Sequence, residues 1–434
     1  MSPVTTGLIG IGLLLFLFLL KMPVAFAMAL VGFAGFAYLA DPGPALSLLA
    51  QDIFETFSSY PLSVIPMFIL MGSFAFASGI SHRLFSATYT WVGSLRGGLT
   101  VATVLACAGF AAICGSTAAT AATMGQIALP EMRKYGYDNT LSTGTVAASG
   151  TLGILIPPST ILIVYGILTE ESIGKLFVAG VIPGLLLSLF FVLTVAILCI
   201  RNPQLGPPGS PTTWAQKIKA FGGIIEATIL FMLTIGGLFL GWFSPTQAGA
   251  IGAGGALVIG LIRRKLTWKI FLDTGKDGLS TACMVMFIIT GATIFGHFLA
   301  VSTIPFILAD WIAGLPIPPL AVMGVMIFIY FIGGFFMDSM ALVVVTVPIF
   351  FPVVIRLGFD PIWFGVVIVL VAEMGVITPP VGVNVFVIKG IAQDIPLEVI
   401  FKGILPFLGA LIILTILIMF FPQIATFLPS LIRY

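Results

Sequence analysis

Two pairs of side chains, Ser116-Thr117 and Asp338-Ser339, place hydroxyl and carboxylate oxygens in the middle of long apolar stretches. Such oxygens, together with backbone carbonyls, are the ligands of a small hard cation, held at about 2.3–2.6 Å. Two more stretches supply carbonyls: Gly153-Ile154-Leu155-Ile156-Pro157-Pro158-Ser159 and Gly375-Val376-Ile377-Thr378-Pro379-Pro380-Val381. A double proline removes two backbone donors and clashes with the preceding turn, so a continuous helix cannot pass through it. Inside a bilayer the freed carbonyls and amides must face protein or a lined cavity, because lipid offers no partner. Half-helix ends made in this way present positive dipole ends to an anion and carbonyls to a cation. In one half a sodium ion would use Ser116, Thr117 and carbonyls of residues 153–156, those of Gly153 and Ile156 included. In the other half it would use Asp338, Ser339, Thr378 and carbonyls of residues 375–377, beginning at Gly375.

Asp338 stands out most. A carboxylate at mid-membrane costs about 2.5–3.5 kcal/mol on the gentlest insertion scale, so it has either a functional partner or a structural task. The structural task is capping a half-helix. Glu373, two residues before the second break, either binds a proton or cation or pairs with Lys389 or a neighbouring hydroxyl. Asn384, Ser159 and Thr160 lie just past the breaks, where they face a substrate or bond neighbouring helices. With Ser116, Thr117 and Asp338, the residues Ser159 and Asn384 form the candidate substrate set. His82 reads as a surface residue and His297 as a packing residue.

Positioning these groups falls to helices in a membrane. The chain has 434 residues, 59% apolar and 8% charged, with mean hydropathy +1.20, the composition of a polytopic helical membrane protein. The apolar runs leave no room for a sizeable soluble domain. A net charge of +2 without a long basic tract gives no sign of a nucleic-acid partner. Four cysteines, Cys107, Cys114, Cys199 and Cys283, lack metal-ligand spacing and read as small core residues. The first apolar run has neither the basic start nor the cleavage site of a signal peptide. No P-loop motif occurs, which argues against ATP-driven transport by this chain alone.

One offset of 222 residues pairs Pro157 with Pro379, Gly153 with Gly375, Pro130 with Pro352, Gly136 with Gly358, Asp138 with Asp360 and Pro23 with Pro245. It runs without a gap from residue 23 to residue 158 and marks two halves of one repeated design. The first half, residues 1–201, contains a stretch at about 97–134 with basic residues on both flanks, Arg83 and Arg96 before it and Arg133 and Lys134 after it. Positive flanks on both sides read as a re-entrant hairpin entering from the cytoplasm. A broken helix follows at about 140–165. Residues 202–219 form the linker, with Lys217 and Lys219 on the cytoplasmic side. The second half, residues 220–434, has its hairpin at about 319–355, entering from outside, and its broken helix at about 361–388. Residues 41–60 read as a polar loop, and a span is expected at about 278–302. The sum is ten full spans and two hairpins, with both termini outside. The charge pattern, which took no part in the pairing, makes the halves inverted.

The strings CGSTAATAATMGQIALPEMRKYGY, SGTLGILIPPSTILIVYGILTEESIGKLFVAGVIPG, GGFFMDSMALVVVTVPIFFP and EMGVITPPVGVNVFVIKGIA resemble the large membrane subunit of tripartite ATP-independent periplasmic (TRAP) transporters. The resemblance covers essentially the whole chain. It implies an elevator-type secondary transporter of the bacterial inner membrane, coupled to sodium at two or more sites. It also implies two partners: a small four-helix membrane subunit, separate here because no four-span extension precedes the first half, and a periplasmic binding protein that delivers a small organic anion. Carried over, the hairpin tips are Gly115, Ser116, Thr117, Asp338 and Ser339, and the breaks are residues 153–158 and 375–380. Cys114 stands where many relatives carry serine, which leaves it outside the ligand set. The expected function is sodium-coupled uptake of an organic anion, with proton coupling as the alternative. A membrane enzyme would need paired acids, a metal cluster or a nucleophile with its base, and a channel would not need two matched interruptions.

Overall fold

The computed structural model describes residues 1–432, and among them it holds helices and no strand; the last two positions of the second half lie outside the described residues. In the first half α1 (Pro3–Leu19) and α2 (Val24–Leu39) lead to α3 (Pro42–Ser58), α4 (Val64–Ala77) and α5 (Ile80–Val92). Then come α6 (Gly98–Cys114), α7 (Thr117–Lys134), α8 (Asn139–Gly150), α9 (Leu152–Leu155), α10 (Thr160–Thr169) and α11 (Ile173–Arg201). The second half opens with α12 (Trp214–Ala220) and α13 (Gly222–Phe231), which runs through a π-helical turn, Met232–Gly236, into α14 (Gly237–Phe239). It continues with α15 (Pro245–Ile262), α16 (Trp268–Ser302), α17 (Ile304–Ala313), α18 (Pro319–Gly333) and α19 (Ser339–Arg356). Last are α20 (Pro361–Ile377), α21 (Val383–Ile391), α22 (Leu397–Phe420) and α23 (Gln423–Ser430).

Local structure recurs at the 222-residue offset. Helices α7 and α19 are each 18 residues long and start at Thr117 and Ser339. Asp138 and Asp360 cap α8 and α20 with their carboxylates. Gly136 and Gly358, just before those caps, take φ of +72° and +76°, a region that favours glycine because it carries no Cβ. The bonds Pro157–Pro158 and Pro379–Pro380 are both cis.

Three segments differ from the sequence reading. Residues 42–58 are helical, not a loop: prolines at the first turn leave no donor that the helix would miss, and Ala45, Asp52 and Thr56 share one buried face. The pair Pro42–Ser58 and Pro61–Ala77 is bent by 55°. Helix α16 has 35 residues, about 53 Å, against a hydrocarbon core of about 30 Å. Its first turns carry Lys269, Asp273, Lys276 and Asp277 beyond the apolar run, so the expected span from about 278 covers only its later part. Within the linker, residues 214–219 belong to α12, where Thr213 and Gln216 form a reciprocal capping box.

Among the described residues seven helices are long and apolar enough to cross a bilayer, eight if the bent pair is one span. Helices α1, α2 and α20, at 16 or 17 residues, are apolar but shorter than the usual twenty or so. Ten full spans are therefore not reached on length alone. The broken span Asn139–Thr169 is 83% buried over its apolar window, against 33% for Ile173–Arg201. An interrupted helix needs that enclosure; an intact one can face lipid.

Helices α2, α3, α4, α15 and α16 pack on one another, while α6 to α11 pack with α18 to α22. In the second group α8 crosses α22 at Gly144 and Gly403, so closely that a Cβ at either would run into the other's backbone. Trp363 is 1% exposed and donates its indole hydrogen to the Ile418 carbonyl at 2.9 Å. Between the groups lies α5, held to α13 and α15 through Glu226, which takes both Arg83 and Arg263. The segment between α11 and α12 lies against the base of α6. Gly97 N donates to Gly206 O at 2.9 Å, Asp138 N to Leu205 O at 3.0 Å, Gly209 N to Gly93 O at 2.8 Å, and Thr212 Oγ1 to Thr90 O at 2.8 Å.

Candidate functional site

The turn between α6 and α7 is made by Gly115 (φ +66°) and Ser116. Ser116 caps α7, its Oγ accepting from Ala119 N at 3.4 Å. The Gly115 carbonyl accepts from Thr160 N at 3.4 Å and Thr160 Oγ1 at 3.0 Å, which fastens this tip to the break of its own half. That break runs from the end of α9 through extended Ile156 to the two prolines, and Ser159 caps α10 by accepting from Leu162 N at 3.2 Å. Gly153 is needed here: a Cβ would lie 2.5 Å from Ser116 O and 2.6 Å from Thr120 Oγ1.

The second tip follows α18. Asp338 caps α19, its Oδ1 accepting from Met340 N at 2.9 Å and Ala341 N at 3.1 Å. The structural task foreseen for Asp338 is thus present, and Oδ2 takes no part in it. At the second break Thr378 donates its hydroxyl hydrogen to Met374 O at 2.5 Å, and Gly382 (φ +57°) starts α21. Gly375 lies against Gly334, and a Cβ there would sit 2.8 Å from the Gly334 carbonyl oxygen. As at the first tip, glycine lets the hairpin reach the break.

Glu373 joins the two tips. It is 1% exposed; Thr117 Oγ1 donates to its Oε2 at 2.8 Å, and Ser339 Oγ donates to its Oε1 at 2.9 Å. Lys389 is engaged elsewhere, donating to the carbonyls of Gln393 at 2.6 Å and Ile395 at 2.8 Å. Of the alternatives open for Glu373, pairing with a hydroxyl is the contact made, and it is made twice. Asn384, fully buried, reaches from α21 to the first half, donating from Nδ2 to Ala147 O at 3.0 Å. Among the described residues its Oδ1, with Thr120 Oγ1 and Ser149 Oγ, is buried without a hydrogen-bond partner.

A cavity of about 1030 Å³ opens at the tips. Ser116, Thr117, Asp338, Ser339 and Asn384 line it, Asp338 with its side chain exposed to it. The facing wall comes from α2, α4 and α16, with Ser73, Thr274, Asp277 and Thr281 as its polar members. Among the described residues the lining holds three acids, Asp277, Asp338 and Glu373, and no Lys, Arg or His. Gly115, Gly153, Ile156, Ser159, Gly375 and Thr378 do not line the cavity. Among them Ser159 is fully buried with its hydroxyl engaged as a cap. The candidate list lacked Glu373 as a member, although an acid two residues ahead of a break in an apolar run was its signal. It also lacked Thr120, Asp277 and Thr281, whose only signal was polarity. His82 is exposed, as read. His297 does more than pack: its Nε2 lies 3.2 Å from Asp52 Oδ1, joining α16 to α3.

In chemical terms, the site offers oxygens to a cation and two helix N-termini to an anion. Among the described residues, no group of three or more metal-binding His, Cys, Asp or Glu side chains occurs.

A family model described as tripartite ATP-independent periplasmic transporter, DctM component, matches residues 11–424. The C4-dicarboxylate TRAP transporter large permease protein DctM of Pseudomonas aeruginosa is 38% identical over 389 residues, covering 88% of this chain and 89% of the relative. The isethionate TRAP transporter permease protein DctMQ of Oleidesulfovibrio alaskensis is 34% identical over 411 residues, covering 94% of this chain and 64% of that longer protein. Among solved structures, the YdaH transporter of Alcanivorax borkumensis aligns with TM-score 0.65 at 16% identity, over 88% of this chain and 90% of its own, a likeness of fold.

Proposed function

This chain belongs to the DctM component family of tripartite ATP-independent periplasmic transporters, and from that premise we propose that it couples entry of a small organic anion to sodium. It is a transporter subunit of the inner membrane rather than an enzyme. The observation that carries the proposal is the sign of the cavity. Among the described residues three carboxylates and no cationic side chain line it, so an anion that binds there needs a cation beside it. Helix N-termini supply only about half a charge each. The candidate ligands are oxygens alone, and buried oxygens without partners lie beside the first tip. That set suits a hard cation such as sodium. Ser116, Gly153 and Ile156 would hold one ion with Gly115; Asp338, Ser339, Gly375 and Thr378 would hold another.

The names of the relatives point to carboxylates and sulfonates, both of which present an oxyanion to the ends of α7 and α19. The cavity runs along α7 to Gln126 and along α16 to Ile270. Lys134, Lys269 and Lys276 near these ends support a cytoplasmic side under the positive-inside rule, and with it an inward-facing conformation. The body of α6–α11 and α18–α22 would carry the site against α2, α4, α15 and α16, with the two halves as inverted repeats. A small four-helix membrane subunit and a periplasmic binding protein would complete the system.

The test is uptake into proteoliposomes that contain all three components, driven by a sodium or a choline gradient at fixed pH. Sodium-driven accumulation supports the reading. Accumulation driven by a pH gradient and indifferent to sodium would replace it with proton coupling.

A further inference from the structure

Glu373 stands between two residues that the repeat makes equivalent, Thr117 and Ser339, each the first residue of the helix that leaves its hairpin tip. Each carboxyl oxygen takes one hydroxyl hydrogen, from contacts 256 and 34 residues away in the chain. The position 222 residues earlier is Thr151, whose hydroxyl turns back to Ala148 O at 2.6 Å. The frame thus repeats, but the acid occurs once. No basic side chain pairs with Glu373 among the described residues, and burial leaves water little access to its two bonds.

We propose that Glu373 is a positioning residue that clasps the two hairpin tips, so that order at one tip sets order at the other. The geometry makes this possible because both hydroxyls sit at the starts of the half-helices whose caps, Ser116 and Asp338, line the cavity. Losing either hydroxyl frees one carboxyl oxygen and lets the acid follow the remaining tip. A ligand that fixes one tip then no longer fixes the other. Its part in transport rests on the coupling reading above, whereas the clasp itself is tested without transport.

The experiment is hydrogen–deuterium exchange on the purified full chain in choline, without substrate, reading peptides over the two tips. Thr117→Val and Ser339→Ala remove one hydroxyl each and leave the backbone intact. The clasp predicts that Thr117→Val speeds exchange at residues 339–342 as well as at its own tip, by roughly three- to tenfold, the size of one buried hydrogen bond. Ser339→Ala does the same in reverse, and the double variant adds little, because either loss opens the clasp. Glu373→Ala loosens both tips, whereas Glu373→Gln restores them, since an amide accepts from one hydroxyl and donates to the other. Loosening confined to the substituted tip, additive effects, or a Gln variant as loose as the Ala variant would overturn the proposal. Failure of sodium-driven uptake would leave these outcomes unchanged, so the two readings fail separately.

Discussion

Asp338 has two tasks that substitution can separate. Its Oδ1 caps α19 through two amides, and its charge, by the coupling reading, serves a sodium ion. Asparagine keeps the accepting oxygen and ranks with aspartate as a cap; alanine removes it, at about 0.5–2 kcal/mol. The Met340 amide bond is exposed, so water can replace it, and the loss belongs near 1 kcal/mol. For a chain of 434 residues, an unfolding entropy of about 2.1 cal/mol/K per residue makes 1 kcal/mol worth about 1 °C in Tm. Sodium at a hundred times its Kd stabilises by about 2.7 kcal/mol, or about 3 °C on that scale. Scanning fluorimetry in sodium and in choline at equal ionic strength reads both. Asp338→Asn should match the wild-type midpoint in choline within about 0.5 °C and lose the sodium rise. Asp338→Ala should lose the rise and also start about 1 °C lower. A full sodium rise in Asp338→Asn would refute the ligand role. A choline midpoint as low as that of the alanine variant would refute the separation of cap from charge.

Gly375→Ala places a methyl against the Gly334 backbone; at about 1–3 kcal/mol of overpacking the chain still folds, and uptake should fall at least tenfold, so wild-type uptake would count against close tip-to-break packing. Glu226→Ala strands Arg83 and Arg263, and with Glu226 only 13% and Arg83 24% exposed the loss should fall between a surface and a buried pair, about 1–3 kcal/mol, read as a lower midpoint. The two hydrogen bonds from Arg133 hold the Asp394 carboxyl below the usual carboxylate range. A depressed value adds stability above the unfolded pKa and loses it as pH falls through the folded one. Asp394→Asn should therefore melt slightly below wild type at pH 7, with the gap closing below about pH 4; a gap that widens with acid would refute this.

The tips and breaks were legible because they depend on local chemistry. Double prolines stop a helix wherever they occur, Ser116 and Asp338 are cap residues, and the offset from Pro157 to Pro379 is visible in letters alone. The carriage of Glu373 was not legible. Its partners lie 256 and 34 residues away, and no pattern in an apolar run says which hydroxyl folds back onto an acid. The bond of Asn384 to Ala147 of α8 was hidden for the same reason. Helix α3 was hidden by Pro42 and Pro44, which punctuate a loop and begin a helix equally well. The charged first turns of α16 fell outside the expected span from about 278 because the apolar signal stops before the helix does.

The segment of residues 202–213 bears on how the protein can be handled. Four hydrogen bonds bind it to Thr90, Gly93, Gly97 and Asp138, so it is not a neutral seam between interchangeable modules. A protease site or affinity tag inserted there would peel this segment from the root of the first hairpin. If the halves are produced as two polypeptides, the first should be carried through Thr212 and the second begun at Thr213, so that α12 keeps its capping box. Reassembly from such pieces would then depend on helix packing alone, without a torn edge to mend.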